Sequence, residues 1–288
     1  MYKVAILGCE NSHADAFLSA VIEKKIVTDI EFVGVYSDDA EAAQKLHARF
    51  GVYVAQSYDE FVGQIDGLIV TARHGANHYK YAKPYIASGI PMFIDKPITY
   101  SEEDAAAFMA ELKEHNVPVF GGSMVVFAEG MNQLRESLKS DTYGKILSGF
   151  VRMPVSKKNA YGDFHFYSQH GVQCMMEIFG MNPRSVQVFE KGISYTCVVR
   201  YDDYDVVLFY PEDYSVYYQA INYEKKFLGV EISLDGCADK EFMEFYELLT
   251  TCNQKTSYEE IFAPVYVINA IDRAIKSGKE EPIVKYEV

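Results

Sequence analysis

Over roughly the first 120 residues, short apolar runs alternate with amphipathic stretches. That pattern leaves one economical solution, a parallel sheet whose strands are joined by crossover helices. The run Tyr2 to Leu7 stops at Gly8, a helical stretch covers about residues 14–23, and Ile30 to Tyr36 reads as the second strand. Asp39 is placed to cap a helix over Ala40 to Phe50, with Gly51 as its stop. A short third strand is expected at Tyr53-Val54-Ala55, a buried fourth at Gly67 to Thr71 and a fifth at Pro91 to Asp95, with a helix over 77–88 between the last two. Ser101-Glu102-Glu103-Asp104 is a capping signature for a helix to about His115, and Val117 to Phe120 supplies a sixth strand.

Beyond Gly121 strand-like runs dominate: 146–153, 185–189, 195–201, 206–210, 215–220 and 227–233. Turn signals such as Asp202-Asp203 and Pro211-Glu212-Asp213 separate consecutive runs, as in an antiparallel meander. Helical patterns fall at about 128–138, 164–179, 238–251 and 258–277. The fold class expected is therefore α/β with a parallel sheet over residues 1–120, followed by an α+β domain with a mainly antiparallel open sheet over 121–288. Many of the 23 tyrosines lie in those later strands, as suits a half-wet sheet face, a subunit interface or plain β-propensity.

Composition narrows the partners. A net charge of −14 with no basic run argues against nucleic acid, and no apolar stretch is long enough for a membrane span. The first strand begins almost at once, leaving no room for a signal peptide. Five scattered cysteines, odd in number and without a C-x-x-C pair, are expected to be free thiols in a cytoplasmic protein.

The turn after the first strand reads Gly8-Cys9-Glu10-Asn11-Ser12-His13-Ala14. A dinucleotide turn uses glycines so that the chain bends sharply and backbone amides approach the pyrophosphate at the helix start. Only Gly8 meets that pattern, and Asn11, Ser12 and His13 offer side-chain donors in its stead. By itself this turn is equally a plain strand-to-helix connection.

The segment Val70-Thr71-Ala72-Arg73-His74-Gly75-Ala76-Asn77-His78, followed through a helix by Gly89 to Asp95-Lys96-Pro97, resembles the Gfo/Idh/MocA oxidoreductases. In that family a loop histidine precedes a helix, a glycine, a strand and a Glu-Lys-Pro signature, and Asp95 stands here where glutamate is usual. Gly144-Lys145-Ile146, the helix carrying Gln169-His170-Gly171-Val172, and the run Ala263 to Ile271 extend the resemblance in order along the chain.

The resemblance implies a Rossmann-type dinucleotide-binding domain over 1–120, a substrate-binding and oligomerisation domain over 121–288, and association as a homodimer or homotetramer through the second sheet. It implies hydride transfer between nicotinamide and a hydroxyl or carbonyl of a small sugar, polyol or sugar derivative. Lys96 would bond the substrate hydroxyl and the nicotinamide ribose, and His170 would be the acid/base. Expected cofactor contacts are Gly8, Asn11, Ser12, His13, Ser37, Asp38, Thr71, His74, His78, Asp95 and Lys96. Ser37 falls where NAD-using relatives place an aspartate, but Asp38 and Asp39 follow and would repel a 2'-phosphate, which favours NAD over NADP.

Two positions depart from the family. Phe166 replaces an aspartate commonly found four residues before the histidine, and Gln173 stands where an acidic residue is frequent. Tyr161, Asp163, His165 or Tyr167 could supply the missing partner of His170. The departures keep a second class of function open, a non-catalytic dinucleotide- or sugar-binding regulator. His74 with His78 and His170 with Cys174 have helical spacing, but each lacks a third ligand, and no metal is expected.

Overall fold

A computed structural model describes residues 1–284. By internal contacts the described residues form two units, the first made of Met1–Gly122 and Ala238–Ile261, the second of Ser123–Cys237 and residues 262–284. The sequence assigned all of 121–288 to one domain, whereas residues 238–261 belong with the N-terminal unit.

The first unit holds a five-stranded parallel sheet of β1 (Tyr2–Leu7), β2 (Ile30–Tyr36), β3 (Gly67–Val70), β4 (Met92–Asp95) and β5 (Val119–Gly122), in the order β2-β1-β3-β4-β5. Its helices are α1 (Ser12–Ile22), α2 (Ala40–Phe50), α3 (Ala76–Ile86) and α4 (Glu102–Glu114). The caps sit where the sequence places them: Asp39 accepts from the amide of Ala42, Gly51 is left-handed at φ 72°, and Ser101 accepts from the amide of Asp104. The expected strand at Tyr53 to Ala55 is only a bridge between Val54 and Val35, because the chain bends away once one residue has paired. The last strand begins at Val119 because Pro118 has no N–H to donate to the ladder.

A later helix, α7 (Cys237–Thr251), supplies Phe242, Phe245 and Leu249 to this unit's core. The Phe242 ring lies 5.3 Å from that of Phe17 on α1, and the Phe245 ring 6.3 Å from that of Phe93 on β4. Tyr246 donates to Asp29 at 3.0 Å, and Lys24 pairs with Asp239 at 2.7 Å. Both contacts tie α7 to the chain leading into β2.

The second unit is built on a seven-stranded sheet of β6 (Ile146–Arg152), β7 (Ser185–Lys191), β8 (Ser194–Arg200), β9 (Asp205–Pro211), β10 (Tyr218–Tyr223), β11 (Phe227–Glu231) and β12 (Glu281–Pro282). The order is β11-β10-β6-β9-β8-β7-β12. β6 lies between β10 and β9 and pairs in parallel with β9, so the sheet is mixed and mainly antiparallel, not a simple meander. The strand expected at 215–220 starts later because Ser215 closes a turn onto Asp213, its amide donating to Oδ1 at 3.0 Å. Helices α5 (Glu129–Leu138), α6 (His165–Phe179) and most of α8 (Tyr258–Ser277) complete this unit, with a short 3-10 turn over Met124–Phe127. Among the described residues no helix is long and apolar enough to cross a membrane.

Candidate functional site

In the first unit the carboxyl ends of β1, β2, β3 and β4 carry the sequence-predicted residues. Strand order reverses between β1 and β3, the crevice where open α/β sheets take their ligands. Gly8 ends β1 at φ 76°, and a Cβ there would stand 2.4 Å from the Cα of Ala72. Its glycine is thus demanded by the loop after β3. Asn11 caps α1 through its side chain, while Ser12 in the first turn is exposed.

Glu10, absent from the sequence-predicted set, ties three loops together. Its carboxylate accepts from the hydroxyl of Ser37 at 2.6 Å and from the amide of Arg73 at 2.9 Å. Asp38 accepts from the hydroxyls of Tyr36 at 2.6 Å and Tyr81 at 2.7 Å, which hold its carboxyl below the usual range. Two carboxylates therefore mark the end of β2, and Ser37 is bonded to one of them.

The loop after β3 shows why the His78-to-Lys96 spacing matters. His78 is fully buried with Nε2 2.7 Å from the carbonyl of Ala72, and burial lowers its pKa. Gly75 leaves room for the ring of Pro97, since a Cβ would come 2.7 Å from its Cγ. The Lys96-Pro97 peptide is cis. His74 accepts from the amide of Ala76 at 3.2 Å and packs on Tyr100. Thr71, His78 and Asp95 have no accessible surface. Thr71 donates to the carbonyl of Gly8 at 3.1 Å.

Asp95 centres a buried charge cluster. It accepts from Asn11 Nδ2 at 2.8 Å and from the amide of Lys96 at 2.7 Å, and its Oδ1 lies 3.1 Å from His13 Nδ1. Glu241 of α7 stands 3.5 Å from the same nitrogen. Burial pulls the His13 pKa down, but Asp95 and Glu241 outweigh it and raise it to about 9. Burial pushes the Glu241 carboxyl up, and neither of its oxygens has a hydrogen-bond partner among the described residues. Asp95 stays low despite its burial because His13 and Lys96 are beside it. Lys96 is 4% exposed, and burial lowers its pKa against the pull of Asp95 and Glu241. The sequence did hold a sign of Glu241: a lone carboxylate on the apolar stripe of Phe242, Phe245 and Leu249.

In the second unit His170 lies on α6, 2% exposed. Its Nδ1 is 2.6 Å from the hydroxyl of Ser123. Ser123 was not among the partners considered from the sequence. Gln173 accepts from the amide of Ser123 at 2.8 Å and from Gln169 at 3.2 Å, so the residue standing at the family's acidic position holds Ser123 in line. The Tyr167 ring meets that of His170 edge-on at 4.5 Å, and Phe166 packs against Tyr161 at 5.1 Å. Nothing in local spacing links Ser123 to a histidine 47 positions later. Among the described residues no group of three His, Cys, Asp or Glu converges as a metal site.

Comparison with known proteins agrees with this architecture. Residues 2–123 match the Gfo/Idh/MocA model described as an oxidoreductase family with an NAD-binding Rossmann fold. An uncharacterized oxidoreductase of Streptococcus pneumoniae serotype 4 is 24% identical over 161 residues, an alignment spanning 51% of this chain and 44% of that protein. The fold is that of the myo-inositol 2-dehydrogenase of Lactobacillus plantarum, with TM-score 0.86 and 12% identity over 98% of this chain and 99% of that one. It is equally that of the Lactobacillus casei myo-inositol dehydrogenase solved with NAD(H) and myo-inositol, with TM-score 0.85 and 14% identity over 100% and 98% of the two chains.

Proposed function

From the match of residues 2–123 to the Gfo/Idh/MocA oxidoreductase model with its NAD-binding Rossmann fold, we propose that the chain is an NAD-dependent oxidoreductase of that family acting on a hydroxyl or carbonyl carbon of a small polyol, sugar or sugar derivative. The observation that carries this reading is the buried Lys96 at the carboxyl end of β4, held beside Asp95 in a sheet whose strand order reverses between β1 and β3. NAD, when bound, supplies the hydride acceptor or donor.

The residues present fit that group. The sharp turn at Gly8 delivers the start of α1 to the switch point, and Ser12 offers an exposed hydroxyl there for the pyrophosphate. Asp38, oriented by two tyrosines, suits the free hydroxyls of an adenosine ribose, and with Glu10 it opposes a 2'-phosphate. Lys96 is assigned to the substrate oxygen, and burial lowers the pKa of its amine. His170 is assigned the acid/base role.

The non-catalytic reading drew on a His170 without a partner. Ser123 supplies one and Gln173 supports it, which favours the enzyme. The test is purified protein with NAD+ and a panel of inositols, sugars and sugar acids, in both directions, together with NADH binding by fluorescence. Turnover with any member supports the proposal. Tight NADH binding with no turnover returns the sensor, and no binding removes the dinucleotide.

We assign self-association to the second sheet's open face, where Val198, Val207, Phe150, Phe209 and Tyr218 are half-buried in neighbouring register. Light scattering of wild type and Phe209→Glu tests it. A wild-type monomer would refute it.

A further inference from the structure

We infer that Glu241 of α7 is a positioning residue for the turn between β1 and α1: it shares a proton with His13 and Asp95, and release of that proton weakens the turn's hold on a dinucleotide. The ligand half of this statement rests on the oxidoreductase reading proposed above, while the proton-sharing cluster lies wholly within the first unit.

Three ionisable groups meet in a place closed to solvent. His13 is 5% exposed, Glu241 1% and Asp95 0%. Oδ1 of Asp95 stands 3.1 Å from His13 Nδ1, and Oε2 of Glu241 stands 3.5 Å from the same nitrogen. Ionised carboxylates only accept, and an imidazole nitrogen without hydrogen does the same. With no proton among them, lone pairs would face lone pairs in a site too dry to screen them. The spacing therefore requires at least one proton held by the group as a whole. The titration directions agree with it. Burial pushes the Glu241 carboxyl up to about 8, and His13, pulled down by burial but raised further by Asp95 and Glu241, stands at about 9.

Hydrogen bonds carry the state of this cluster to the turn. The other oxygen of Asp95 accepts from Asn11 Nδ2 at 2.8 Å. Asn11 Oδ1 accepts from the amide of His13 at 3.4 Å and from the hydroxyl of Ser12 at 3.3 Å. A path of contacts thus runs from α7 through His13, Asp95 and Asn11 to Ser12, exposed in the first turn of α1. Loss of the proton acts on that path twice. It sets Oδ1 of Asp95 against a bare nitrogen or a second ionised carboxylate, which disturbs its hold on Asn11. It also adds a negative charge at a helix start that otherwise favours an anionic diphosphate.

Other charged groups surround the cluster. Lys96 follows Asp95, His78 of α3 acts on Asp95, and Arg73 of the loop after β3 acts on Lys96. Burial lowers the pKa of His78 and pushes the Cys9 thiol, in the turn itself, up to about 12. Neither of these two changes charge between about pH 7 and pH 9.5.

The test is NADH affinity, by fluorescence titration of the full chain from about pH 7 to pH 9.5, for wild type, Glu241→Gln and His13→Gln. NADH has no group of its own that titrates there. Wild type is expected to lose about tenfold in affinity across the range, as one added charge acts on the diphosphate. Glu241→Gln cannot ionise and is expected to lose less than about threefold. His13→Gln keeps an amide donor toward Asp95, is expected to show the same flattened profile, and carries the test if Glu241→Gln does not fold. A side chain that only filled space would shift affinity equally at every pH. Wild type that binds NADH with a flat profile overturns the inference, as does a folded variant that keeps the wild-type slope. Wild type that binds no NADH at any pH is a different result, which overturns the dinucleotide reading and takes the ligand half of the inference with it.

Discussion

Asn11 donates from Nδ2 to Oδ2 of Asp95 at 2.8 Å, joining the cap of α1 to the end of β4 across 84 positions of sequence. The other oxygen of Asp95 takes the amide of Lys96 and faces His13. Removing this carboxylate takes away the nearer of the two carboxylates at the buried His13 ring, leaving Glu241 at 3.5 Å. Asp95→Ala is expected to cost about 3–5 kcal/mol in urea unfolding of the whole chain. A loss below about 1 kcal/mol would show that the cluster is not held by charge.

The same cluster sets a pH dependence. His13 has its folded pKa raised from 6.5 to about 9, so its contribution is whole below 6.5 and is lost as pH rises through 9. Glu241 is also raised, so the folded chain keeps a proton that the unfolded chain releases above the ordinary carboxylate range. Both slopes have one sign. Stability is expected to fall between about pH 5 and pH 9, first through Glu241 and then through His13, by up to ~1.4 kcal/mol per pH unit for each proton. Glu241→Gln should remove part of that slope, and a wild-type stability that holds constant or rises over this range contradicts the assignment.

Cofactor choice follows from the paired carboxylates at the end of β2. NADH is expected to bind at least about tenfold more tightly than NADPH, since a 2'-phosphate would meet Glu10 and Asp38. Asp38→Asn should narrow the ratio. Calorimetry showing equal affinities in the wild type would rule the electrostatic account out.

Gly8 is held at φ 76° with no room for a Cβ beside Ala72. Gly8→Ala is expected to destabilise by about 2–4 kcal/mol through backbone strain and clash, and to weaken NADH binding as β1 and the loop after β3 part. A variant as stable as wild type, by thermal unfolding, would show that the two loops can separate freely.

The legible parts of this molecule are those with local causes. β2 and α2 were placed to the residue because a periodic apolar pattern was bounded by Asp39 and Gly51, whose capping chemistry acts within a turn. The Asp95-Lys96-Pro97 signature was legible as a likeness, and its geometry gives the reason: Gly75 and His78 must reach the same segment. What escaped was long-range. Glu10 has no glycine-like feature that predicts its bonds to Ser37 and Arg73, and Ser123 directly follows the two glycines that end β5. The parallel pairing of β6 with β9 was hidden for the same reason, since strand patterns carry facing but not neighbour order.

Helix α7 has a consequence for how the protein is made. The sheet of β1 to β5 is finished by residue 122, yet Phe17 and Phe93 meet Phe242 and Phe245, which leave the ribosome only after the second unit's central strands. Throughout that interval the nascent first unit presents an uncovered apolar face and an Asp95 cluster without Glu241. A fragment ending at 122 inherits the same exposed state permanently, so the dinucleotide half of this chain is not a portable module.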